Sequence, residues 1–98
     1  MMVIDASAII ALLAGEARGA DVQDALDAHL RQGGETAICA TTTFEAAVGL
    51  ARIAARPSKP TAGHIARALK AVDAFRDAIG AQDAAISPED ARDRKSVV

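Results

Sequence analysis

At 98 residues the chain is the size of one small domain, and its 51% hydrophobic content, mostly Ala, Val, Ile and Leu, excludes a disordered protein. A lone Cys39 excludes an internal disulfide and a zinc cluster, as suits a reducing cytosol. The net charge of −2 selects no partner, and neither a membrane span nor the basic start of a secretory signal is present, so we expect a cytoplasmic protein.

Met2 to Ile4 is a short apolar run that predicts a buried strand. Asp5 and Ser7 are both good N-cap residues, and the helix-compatible run behind them ends by Gly15. A second helix is expected over about Ala20 to Arg31, with Val22, Ala25, Leu26, His29 and Leu30 on its apolar register and Gly33-Gly34 as its stop. Thr36 to Ala40 reads as a second buried strand. Thr42 to Ala55 follows as a helix whose apolar face holds Phe44, Ala47, Val48 and Ala51.

Arg56-Pro-Ser-Lys-Pro60 breaks that helix, because neither proline continues it. From about Thr61 to Ile79 the residues Ile65, Leu69, Val72, Phe75 and Ile79 form an amphipathic stripe closed by Gly80. Ala81 to Ile86 predicts a third strand, against which Asp83 argues. Ser87-Pro-Glu-Asp90 then combines an N-cap serine, a proline at the first helical position and first-turn acids. Strands alternating with helices imply a parallel sheet covered on both faces, the α/β class. Three strands make a narrow sheet, so residues 1–98 read as a single, incomplete α/β/α domain of three layers, cut short after about the fifth helix begins.

Charge is unevenly distributed. Residues 52–76 hold Arg52, Arg56, Lys59, Arg67, Lys70 and Arg76 against the single acid Asp73, in a chain otherwise acidic. Such a stretch fits either a polyanion or a solvated helix face.

The chemistry-bearing pattern is a pair of acids. In open parallel sheets ligands bind beyond the carboxyl ends of the strands. Asp5 falls there directly after the first strand, and Glu45 falls just past the second, in the expected first turn of the next helix. Two carboxylates at one edge repel each other unless protonated, well solvated or bridged by a cation. Mg²⁺ is a fitting bridge, being bound by one or two carboxylates plus waters and phosphates. Capping explains each acid separately: Asp5 suits the N-cap of the first helix, and Thr42-Thr-Phe-Glu45 has the capping-box spacing. Taken together on successive βα units the acids favour a shared site, which capping does not exclude.

VIDASAIIALLAGE, followed about forty residues from Asp5 by TTTFEAAVGLARI, resembles the N-terminal part of a PIN-domain ribonuclease, of the VapC-type toxins in bacterial toxin–antitoxin pairs. The resemblance extends through DAFRDAIGAQDAAISPEDAR, over about residues 2–92. It implies a PIN-like fold and endonucleolytic hydrolysis of RNA with Mg²⁺ or Mn²⁺. Asp5 and Glu45 match the family's metal-binding, catalytic acids, and Ser7 belongs to the same loop as Asp5. A cognate antitoxin, an RNA substrate and a homodimer are the partners it implies. Family members are usually longer and supply further acids from an NFGD-like stretch that nothing here matches. Asp90 and Asp93 fall in the preceding helix and take no role. We therefore expect a catalytically weak or inactive form.

Phe44 and Phe75, the only aromatics, read as apolar-face residues, so RNA would be held mainly through phosphates. His29 reads as structural, His64 as solvated among bases, and Cys39 as a small buried hydrophobe. The main alternative is a non-catalytic dimerisation or antitoxin-binding module derived from such a toxin, built on the broad apolar helix faces. A receiver-like or nucleotide-binding domain has less support, for no Gly-rich phosphate loop or paired early acids are present.

Overall fold

The computed structural model describes residues 1–84, which form β1 (Met2–Val3), α1 (Ala6–Leu13), α2 (Gly19–Arg31), β2 (Thr36–Cys39), α3 (Ala40–Ala55), α4 (Ala62–Ile79) and β3 (Gln82–Ala84). The expected end of the third strand at Ala85 and Ile86, the helix start at Ser87-Pro-Glu-Asp90, and the acids Asp90 and Asp93 lie outside the described residues. Among those described, the fold is α/β, with a short parallel sheet in the order β1-β2-β3. Met2 pairs with Thr36 and Val3 with Ala37, while Ala37, Ile38 and Cys39 pair with Gln82, Asp83 and Ala84. The β1 pairing runs a residue further, because the Ile4 N–H donates to the Ala37 carbonyl at 3.1 Å.

β2 is flanked on both sides, and its Thr36, Ala37 and Ile38 are buried accordingly. Thr36 is a polar residue in that position, and its hydroxyl donates to the Ile79 carbonyl at the end of α4. β3 tolerates Asp83 because the carboxylate projects outward and pairs with Arg76 from α4, which also meets Asp73 at 3.8 Å. The turn into β3 is made by Gly80, whose φ of 64° is the left-handed conformation that ends helices.

The core joins Ile4, Ile9, Val22, Leu26, Ile38 and Val72 to an alanine stripe on α3, Ala46, Ala47 and Ala51. This stripe corrects the expected apolar face. Phe44 is not in the core but 57% exposed, and Val48 is half-buried. Small residues face inward because α3 packs against both α1 and α4, and methyl-sized side chains let helix axes approach. Ala25, expected on the apolar register of α2, is exposed as well. His29 is structural as read: its Nε2 lies 2.8 Å from the Glu35 carbonyl, tying α2 to the loop before β2.

His64 is not merely solvated. It sits half-buried at the third position of α4, where its Nδ1 accepts the Thr61 N–H at 3.1 Å while Thr61 Oγ1 accepts the His64 N–H at 3.3 Å. This is a reciprocal capping box with imidazole in the place usually held by Glu or Gln. Cys39 is half-buried rather than core, and it is the N-cap residue of α3. Among the described residues no helix is long and apolar enough to cross a membrane.

The tightest backbone approach joins α1 to α2. A methyl group added at buried Gly19 would stand 2.5 Å from the Ala11 carbonyl oxygen, a backbone atom unable to move alone. Gly19→Ala should therefore destabilise the protein by about 1–3 kcal/mol, the usual range for overpacking. Gly63→Ala, whose methyl meets nothing nearer than 3.5 Å, should be tolerated. Urea denaturation of both variants checks the contrast.

Candidate functional site

Because β1 and β2 are parallel, both chains leave the sheet at one edge and turn directly into helices. Asp5 follows β1 with extended backbone, φ −90° and ψ 169°, and is the N-cap of α1. Its Oδ1 accepts the Ala8 N–H at 2.9 Å and the Ser7 hydroxyl at 3.0 Å. The capping role considered for Asp5 is thus real, and it fixes the carboxylate at the start of α1. A carboxylate has about four lone-pair sites, so an oxygen engaged in capping does not exhaust its capacity.

Glu45 is placed differently from expectation. β2 passes into α3 without a loop, the helix starts at Ala40, and Glu45 therefore lies in its second turn. The Thr42–Glu45 capping box is not formed, for the N-cap is Cys39 and has no side-chain cap bond. Thr43 instead donates its hydroxyl back to the Cys39 carbonyl at 3.4 Å. Glu45 remains exposed and faces the same space as Asp5. Both acids line one open cleft of about 680 Å³ between α1 and α3, with Ser7, Phe44 and Arg52 at its walls and Ile10, Val48 and Gly49 among its apolar lining. At Gly49 the Ile10 side chain of α1 sits directly on α3: an added methyl would lie 2.5 Å from Ile10 Cδ1.

Comparison with known proteins leaves the cleft to speak for itself. No family model, curated protein or solved structure matches the chain.

The basic stretch divides on folding. Arg52 lines the acidic cleft and makes no ion pair with the described residues. Arg76 is half-buried and paired with Asp73 and Asp83, whereas Arg67 lines a separate apolar groove of about 440 Å³ with Leu13, Leu50, Ile53 and His64. Of the six bases, Arg52 is the one that lines the cleft of the two acids. Phe44 is the site residue that periodicity misplaced. The competing stripe of Thr43, Ala46, Ala47 and Ala51 has the same helical spacing, and the need for close packing selects it.

The donor set suits a hard cation in kind more than in number. Asp5 and Glu45 offer carboxylate oxygens, which Mg²⁺ and Mn²⁺ prefer, and Mg²⁺ retains several waters. Among the described residues no group of three or more His, Cys, Asp or Glu is placed to hold a metal. A site made of these two acids would hold its ion weakly, completed by water and by substrate oxygens.

Capping and charge at position 5 are separable by substitution. Asp5→Ala should lower stability by about 0.5–2 kcal/mol through loss of the cap, whereas Asp5→Asn, an equally good N-cap, should stay near the parent. Thermal unfolding of the pair measures the difference.

Proposed function

We propose that the chain is a metal-dependent endoribonuclease of the toxin kind, with a PIN-like fold, holding Mg²⁺ or Mn²⁺ between Asp5 and Glu45. The observation that supports this reading is that those two acids and Arg52 line one cleft, although Asp5 and Glu45 lie on different βα units. The sequence resemblance supports the same pair of residues.

Each residue has a defined task in this reading. Ser7 and the Ala8 amide hold the Asp5 carboxylate at the sheet edge, so its position does not depend on rotamer freedom. Glu45 approaches from the second turn of α3. Arg52 lies seven residues beyond Glu45, two turns along the same helix face, and supplies a planar cation for a phosphate of the RNA strand. Asp5 and Glu45 would hold a divalent ion here, which would supply a more acidic water and charge to offset that of the scissile phosphate. Two protein carboxylates make a weak ion site, and cleavage is accordingly slow.

A second reading, a non-catalytic module that pairs with another copy or with an antitoxin, draws on the groove between α1, α3 and α4. That groove is apolar, and Leu13 at its rim is 39% exposed.

Cleavage of a single-stranded RNA with Mg²⁺, with EDTA, and by Asp5→Asn separates the readings. The nuclease reading expects slow Mg²⁺-dependent cleavage that Asp5→Asn reduces by more than the roughly 10- to 100-fold typical of lost outer-shell partners. Equal cleavage by the parent and Asp5→Asn, or cleavage that survives EDTA, overturns it.

A further inference from the structure

Phe44 is the feature of the cleft that the metal chemistry leaves unused. It is one of three large hydrophobic residues exposed among those described, and the only aromatic one. It directly precedes Glu45, and it lies on one row of α3 with Val48 and Arg52, spaced four residues apart. At 1.5 Å per residue the ring and the guanidinium are separated by about 12 Å along the helix axis. The row therefore presents, in order, an aromatic ring, an aliphatic step and a cation, all along the wall that carries Glu45.

We propose that Phe44 is a stacking site for an unpaired nucleobase next to the cleaved bond, with Arg52 taking a phosphate further along the same single strand. The inference rests on the nuclease reading and adds to that site a residue that contacts a base. An aromatic face beside a backbone-tracking cation is the combination that single strands use, since every base has a π-face and every linkage a charge. Bases inside a duplex are already stacked and cannot reach the ring. A second copy of the chain is a poorer occupant, because charged residues are depleted at the centres of protein interfaces while this cleft holds Asp5, Glu45 and Arg52 together.

Exposure of Phe44 makes the test clean, because its side chain supports no core packing. The chain has no Trp or Tyr, so Phe44→Trp introduces a single fluorophore at the site. The probes are a single-stranded RNA ten-mer and an abasic ribose-phosphate ten-mer of equal charge, titrated in Ca²⁺ to suppress turnover. Indole emission of the Phe44→Trp variant should be quenched by the RNA and not by the abasic strand. Phe44→Ala should weaken RNA binding about 5- to 150-fold, the range for loss of one base–aromatic stack, and leave binding of the abasic strand unchanged. Equal loss on both probes, no loss on either, or dissolution of a dimer by Phe44→Ala in sedimentation with RNA affinity intact overturns the stacking site. If stacking fails while Mg²⁺-dependent cleavage still requires Asp5, only this inference falls. If the unchanged chain binds no RNA, both fall.

Discussion

The acidic cleft depends on the parallel pairing of β1 with β2. Parallel strands must both exit at the same edge, and each exit here turns at once into a helix. Had the two strands run antiparallel, Asp5 and Glu45 would leave from opposite ends of the sheet, and no packing of α1 on α3 would reunite them. Two residues of β1 are enough to set this register because Ile4 adds a further backbone bond and is itself buried. The constraint is thus a backbone property, supported by one core side chain.

Given that edge, small side chains decide how open the cleft is. Gly49 brings α3 against Ile10 of α1, while Ala46, Ala47 and Ala51 let the same helix sit close to its other neighbours. Gly49 and the Ile10 side chain packed on it line the cleft together with the longer side chains of Phe44, Glu45 and Arg52. A bulky apolar face on α3 would have pushed the helices apart and drawn Phe44 into the gap. The exposure of an aromatic ring and the tightness of the core are two results of one packing choice.

Much of the fold was legible from pattern alone. Alternating short apolar runs and amphipathic segments indicate parallel strands joined by helices, and the positions of Gly33, Gly34, the Pro57–Pro60 break and Gly80 place the boundaries to within a residue or two. What failed has local physical causes. The threonines at 41–43 look like a helix start, but β2 continues straight into α3, so the true start is three residues before Thr43. Thr61 reads from pattern only as the approximate start of its helix, and His64 as solvated because it stands among bases there; imidazole is an unusual partner in the reciprocal box that the two residues form. Asp83 argued against a strand because its counter-ion, Arg76, becomes a neighbour only after the Gly80 turn. For the site, the edge position of Asp5 and Glu45 follows from topology, whereas Phe44 and the selection of Arg52 from six bases needed the packed helices.

The imidazole cap also shapes the electrostatics at the start of α4. A glutamate in that position would offset the positive end of the helix dipole, but α4 has no acid in its first turn, and a ring nitrogen accepting an amide proton brings no formal charge. The partial charge of that terminus therefore adds to Lys59 just before it and Arg67 just inside it. This corner becomes a diffuse anode whose reach is set by the surrounding electrolyte, about 10 Å at 0.1 M ionic strength. In dilute buffer it gathers counter-anions, and in concentrated buffer it fades into the background.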